Sequence, residues 1–358
     1  MFESDHVRGA LLWYGMVMVQ PIDQPGTGIM PLAVPAEWPR GWINPVGGSI
    51  RLAEELANVV RAKGGSVITG AEVTRIISEN GRAAGVATSD GATYRASRAI
   101  VSAMHFTQLP GVLPNALPAP FIERTQTWRG GPSLLVVHLA VEENTRARTS
   151  SGPVGAVLTG QSTVEGVKRN LIDLANGQLT TEEPWMFTAC STWIDPTRAP
   201  DGKGVVKVIG MVPYALQGDA ANWDAAKDDH ADVLLEEYSR LVDNYTPGAE
   251  LGRAVFSPLD IERTNNAFYR GGPQGGDFLP DQVGTFRPAP GWADYRLPLP
   301  GLYQTGSSAH PGGTVSGWPG RHAARAVLED LQIDWRPVMP GDWTGEEMDI
   351  RVVDTSGH

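Results

Sequence analysis

Residues 301–320 read GLYQTGSSAHPGGTVSGWPG, which sets six glycines and two prolines between a short apolar run and a helical pattern. GLYQT is short enough to be a strand, and GRHAARAVLEDL beyond it carries Ala323, Ala324, Val327 and Leu331 on or near one helix face. A strand, a glycine turn and a helix start in that order point several backbone N–H groups and the positive end of the helix dipole at one spot where no side chain intrudes. That is a seat for an anionic or carbonyl-rich ligand. The plainer reading is a sharp turn with tight helix packing, but the run is longer than a turn requires.

The chain of 358 residues with 41% apolar residues can bury a large core and hold two domains. A net charge of -11 argues against a nucleic-acid partner and an anionic membrane surface, because both need clustered Lys and Arg. The single cysteine, Cys190, excludes an internal disulfide and reads as a small buried apolar residue. It fits a reducing, cytoplasmic setting. The apolar run LLWYGMVMV near the start is nine residues long, too short to span a bilayer, which needs roughly 20, and it reads as a buried helix.

The grammar of residues 45–105 is the clearest in the chain. After Gly47 and Gly48, Ile50, Ala53, Leu56, Ala57 and Val60 recur at helical spacing and Gly64–Gly65 supply a C-cap. SVITG then reads as a strand, and EVTRII, AAGVAT and TYRASRAIVSA as three more, separated by the turns Asn80–Gly81 and Asp90–Gly91. From 111 to 297, SLLVVHLAV and GVVKVIGMVPYAL read as core strands and AAKDDHADVLLEEYSRLVDNY as a helix, the pattern of a mixed α+β domain.

LYQTGSSAHPGGTVSGWPGRHAA resembles the C-terminal flavin-binding signature of the phytoene desaturase and FAD-dependent amine oxidoreductase superfamily. Within it, the resemblance is to bacterial proteins similar to pyridine nucleotide-disulfide oxidoreductase domain-containing protein 2. GGSIRLAEELANVVRAKGGSVITGAEVTRIISENGRAAGV resembles the middle segment of that family's FAD domain, and TWIDPTRAPDGKGVVKV and LDIERTNNAFYRGG its substrate-domain stretches.

The resemblance implies α/β plus α+β architecture, with a glutathione-reductase-like FAD domain and a mixed-sheet substrate domain. Its boundaries fall at 1–44 for a helical arm of the substrate domain, 45–110 and 298–333 for the FAD domain, 111–297 for the substrate domain and 334–358 for a tail. It implies FAD as cofactor and places Glu72 and Val73 beside the adenosine half. Gly306 and Ser307 fall nearer the ribityl and pyrophosphate. His310, Pro311, Gly312, Gly313, Thr314, Val315 and Gly317 fall around the isoalloxazine, where the N–H groups of 312–315 meet its pyrimidine edge. His105, at a strand end, and Trp318, inside the glycine motif, become substrate-pocket candidates.

One departure matters more than these matches. The family begins with a βαβ unit bearing G-x-G-x-x-G, which seats the FAD pyrophosphate, and this sequence has none. GTGIMP at 26–31 reads as a loop, and GGPQGG at 271–276 has the wrong spacing. A partner polypeptide supplies the unit, or the chain is part of a longer product, or it is a relict that no longer binds FAD. The partner is preferred, because a chain freed from flavin has little need of so exposed a backbone. The expectation is thus a subunit of an FAD-dependent oxidoreductase, of dehydrogenase, desaturase or isomerase type, acting on an apolar substrate. The alternative is a non-catalytic scaffold that has lost its cofactor.

Other chemistry-bearing residues read more plainly. His138 sits in an apolar strand as a core histidine, and in DDHAD (228–232) Asp228 and Asp232 share a helix face while His230 points away, an acidic first turn and no metal site. Eleven tryptophans, among them Trp13, Trp42, Trp128, Trp185 and Trp193, serve core packing or a pocket. No catalytic acid or base stands out.

Overall fold

The N-terminal apolar run folds as α1 (Asp5–Met16) and buries Trp13 and Met16. The computed structural model describes residues 2–29, 44–150, 152–155, 163–313 and 315–336; Trp42, Thr314 and most of the tail from 334 onward lie outside them. α2 (Ile50–Ala62) ends where Gly64 turns left-handed at φ 81°, a conformation a side chain would resist. The amphipathic helix therefore forms as expected, yet it buries none of its residues: Leu56 is 60% and Val59 58% exposed. Its base is tethered by Gly47 N–H donating to Asp195 Oδ2 at 2.7 Å and by Arg198 Nη2 donating to the Pro45 carbonyl at 3.0 Å.

SVITG forms no strand. A strand exists through hydrogen bonds to a neighbour, none of the described strands pairs with it, and Val67 and Ile68 lie exposed. β1 (Val73–Glu79), β2 (Arg82–Thr88) and β3 (Thr93–Arg95) make an antiparallel meander, and both turn residues, Asn80 and Gly81, take positive φ as a tight hairpin demands. The continuous strand expected over TYRASRAIVSA divides at a bend around Ser97–Arg98. Only β3 stays in the meander; β4 (Ile100–Ser102) pairs in parallel with β9 (Leu302–Gln304).

Between these lie α3 (Leu109–Val112), α4 (Ala119–Thr127), β5 (Ser133–Val141), α5 (Val164–Ala175), β6 (Met186–Cys190), β7 (Gly204–Val212), α6 (Trp223–Leu241), β8 (Gly252–Phe256) and α7 (Pro258–Thr264), and α8 (Trp318–Asp330) follows β9. The antiparallel sheet β6-β7-β5-β8 alternates buried and part-exposed residues along β5 and buries Leu135, Val137 and Leu139 with Val206, Val208, and Leu234, Leu235 and Tyr238 of α6. Each such side chain stabilises the fold by about 1.5–3 kcal/mol relative to exposure. Cys190 lies in the same core, and His230 is buried there beside Trp223. A second cluster packs α1 on α5, with Trp13 stacked on Trp185 at 5.5 Å. A third joins Ile76 of β1 and Leu302 of β9 to Phe106, Phe121 and Trp128. α8 contributes Ala323 and Ala326 to the interior, while Ala324 faces out.

Candidate functional site

Parallel strands leave their carboxyl ends side by side, and in open α/β sheets ligands bind there. β4 and β9 place Ser102 opposite Gln304, and Thr305 N–H donates to the Ser102 carbonyl at 2.8 Å. Gln304 Nε2 holds the Met104 carbonyl at 2.8 Å, and Phe106 N–H donates to Ser308 Oγ at 3.2 Å. Gly306, at φ 85°, passes so near that a Cβ on it would lie 3.0 Å from the Ala103 carbonyl. Beside β4 opens a cavity of about 750 Å³, lined by Glu72 and Val73, by 100–104 along and just beyond β4 and by 263–267 at the end of α7. Glu72 and Val73, far from Ser102 in sequence, therefore share one wall with it.

The glycine motif is held from behind by a residue with no signal in the sequence. Arg287 is fully buried; Nη2 donates to the carbonyls of Gln274 at 2.6 Å and Ser307 at 2.7 Å, and Nη1 to those of Asp277 and Gln282. Its guanidinium lies 5.2 Å over the rings of both Trp128 and Phe278. The segment it clamps, GGPQGGDF at 271–278, is the one whose glycines lacked the nucleotide-binding spacing. Those glycines serve close packing: a Cβ on Gly275 would meet Ser307 Oγ at 2.5 Å.

This packing corrects the reading of the glycine pair. Gly313 N–H donates to the Gln274 carbonyl at 3.3 Å, and a Cβ there would stand 2.2 Å from the Pro273 carbonyl. At Gly312 the same position is 2.7 Å from the Phe278 ring. What comes close to that backbone is the protein's own 273–278 segment, and the N–H of Gly313 is spent on it. Thr314 lies outside the described residues. Val315 is 87% exposed at φ 54°, His310 and Gly317 are exposed, and Pro311 is part-buried, so these four are not gathered with the cavity wall.

The two substrate-pocket candidates lie off this wall. His105 is buried, with Nε2 at 2.9 Å from the Gly275 carbonyl, Nδ1 at 2.7 Å from Thr107 Oγ1, and its ring stacked on Tyr269 at 4.6 Å. Burial pushes its pKa down to about 4, against the Gly275 bond and together with the charge of Arg287. It is a neutral latch on the 275 segment and does not open onto the cavity. Trp318 stacks on His322 at 5.3 Å, under the guanidinium of Arg321, away from that wall. His138 is half-buried edge-on to Phe256.

The residues fit a flavin cofactor at one end and not at the other. At the strand ends there is a cavity with backbone groups on its wall, and in the interior behind the glycine motif three buried polar atoms, Gln274 Oε1, Arg287 Nε and Gln304 Oε1, have no hydrogen-bond partner among the described residues. At Gly312–Gly313 the space is filled by the protein. Among the described residues no helix is long and apolar enough to cross a membrane.

No family model matches the chain. It is 29% identical over 358 residues to pyridine nucleotide-disulfide oxidoreductase domain-containing protein 2 of Mus musculus, covering 92% of this chain and 59% of that protein. A limonene dehydrogenase subunit from Castellaniella defragrans is 26% identical over 357 residues, 93% of this chain and 63% of that protein. Phytoene desaturase (lycopene-forming) of a Paracoccus species is 25% identical over 293 residues, 80% and 55% of the two chains. The chain spans less than two thirds of each of these relatives. Among solved structures, cyclohexylamine oxidase from Brevibacterium oxydans matches with a TM-score of 0.50 at 17% identity, over 92% of this chain and 66% of that one. The chain is thus a relative of the first protein and of phytoene desaturase-like enzymes, and its mixed α/β fold is that of an FAD-dependent oxidoreductase.

Proposed function

We propose that this relative of phytoene desaturase-like proteins is one part of an FAD-dependent oxidoreductase, of dehydrogenase, desaturase or isomerase type, completed by a second polypeptide that carries the G-x-G-x-x-G unit. One observation carries the reading. The amphipathic helix that precedes the cofactor-domain meander, α2, leaves Ile50, Leu52, Leu56, Val59 and Val60 in water, and SVITG behind it pairs with none of the described strands. Both are the complement of a further strand-and-helix layer, since a helix with a polar face is stable when its apolar face is covered. The cofactor domain in this reading is built from 45–110 and 298–333, around β4 and β9.

Glu72, Val73 and the backbone of Ser102, Ala103 and Met104 would flank the cofactor together with Gly306 and Ser307, and Arg287 would fix the carbonyl of Ser307 from behind. A bound flavin supplies hydride acceptance, and the chain supplies position, dryness and charge around it. An apolar substrate is supported by two relatives whose names carry limonene and phytoene. The occupied space at Gly312 and Gly313 favours the second reading, a scaffold without flavin. Purifying the chain alone and with an adjacent-gene product that carries G-x-G-x-x-G, then measuring flavin absorbance per complex, separates the two; a stable complex without flavin would establish the scaffold.

A further inference from the structure

Arg270 has a backbone that L side chains rarely adopt, φ 53° and ψ 37°. The conformation is fixed from both sides, with its N–H donating to Glu262 Oε1 at 2.8 Å and its carbonyl accepting from Ser133 Oγ at 2.5 Å. The stem of the side chain runs along Gly130, where a Cβ would meet Arg270 Cδ at 3.0 Å. The guanidinium lies 5.8 Å over Tyr214 and 5.4 Å over Tyr269, and Tyr269 rests in turn on His105. Among the described residues it forms no hydrogen bond or ion pair. Glu262, the acid on this segment, spends one oxygen on the Arg270 N–H and the other on the Tyr214 hydroxyl.

A cation held in a strained backbone, flanked by two aromatic faces and left without an acid is pre-organised for an anion from outside. Exposed on one flank, it stands on the wall of a cavity of about 520 Å³ that Pro21, Leu171, Leu174 and Pro213 also line; Asp23 is the other charged group on the wall. We propose that this cavity takes an amphipathic small molecule, with a carboxylate or phosphate head on Arg270 and an apolar body against Leu171 and Leu174. The inference goes beyond the function proposed above, since this cavity shares no lining residue with the one beside β4, and its test runs without flavin, so that the two readings fail separately.

The full chain would be titrated with octanoate, octyl phosphate and 1-octanol by calorimetry, for the wild type and for Arg270→Gln. The expected result is at least tenfold tighter binding of one or both anions than of the alcohol, a gap that Arg270→Gln abolishes; the tighter anion identifies the head group. Arg270→Gly relieves the left-handed backbone, so it should lose the same gap without a lower melting temperature. Equal binding of all three probes, or a gap that persists in Arg270→Gln, would overturn the proposal. Displacement of octanoate by ADP would overturn it too, because the arginine would then serve a nucleotide.

Discussion

Arg287 Nη2 and the carbonyl of Ser307 stand 2.7 Å apart in the interior, and the same nitrogen reaches Gln274 on the opposite segment at 2.6 Å. One planar cation thus staples the glycine motif to 274–282, with carbonyl oxygens and two aromatic faces replacing the water it gave up. Arg287→Met keeps the volume and strands those carbonyls. It should lower the unfolding free energy by about 3 kcal/mol. Urea denaturation with an unchanged slope checks this, and a loss under about 1 kcal/mol would mean the staple is redundant.

Gly313→Ala tests what the glycine pair is for. With the Pro273 carbonyl 2.2 Å from the new methyl, the flavin-free chain itself should lose about 1–3 kcal/mol of stability. Were the glycine kept solely for a ligand, the flavin-free variant would melt with the wild type.

The two buried histidines set an acid limit. Burial pushes both His105 and His230 down to about 4, so between pH 6.5 and 4 the unfolded chain binds the protons that the folded one refuses. Stability is full above pH 6.5, falls as pH drops and levels off below 4. The loss between pH 8 and pH 5 should be about 2 kcal/mol per histidine. His230→Phe should halve this part of the slope, which unfolding curves at several pH values would show; an unchanged slope would assign the acid sensitivity to carboxylates.

The exposed face of α2 makes the partner testable without activity. Leu56→Asp should leave the stability of the isolated chain within about 0.5 kcal/mol of the wild type, as for other exposed positions. It should abolish co-purification with the G-x-G-x-x-G polypeptide. Retention of the complex would place the partner elsewhere.

Local chemistry was legible from residues 50 to 95. Asn80–Gly81 specifies its own turn, Gly64 its own helix end, and β-branched alternation the strands of the meander and the larger sheet. Pairing was not legible, because it belongs to two segments at once: SVITG has the composition of a strand without a neighbour, and TYRASRAIVSA feeds two sheets that the sequence shows as one run. The site divided in the same way. Glu72 and Val73 meet Ser102 at one wall, whereas Arg287 and the 273–278 segment, which decide what space the glycines leave, carry no local pattern. A doubled glycine pair at 271–272 and 275–276, facing a second glycine-rich stretch, was the available signal for close backbone contact.

The pairing of β4 with β9 joins positions about 200 apart, as the bond from Gln304 to Met104 measures. During synthesis at about 5–20 residues per second, the segment around Met104 leaves the ribosome well before its mate exists. The strand ends that wall the cavity therefore come together after residues 302–308 have emerged, and closing so long a loop favours late formation over early nucleation. Until then Ile100 and Val101 are an open strand edge, the interval in which a chaperone or a companion chain made nearby has its first access.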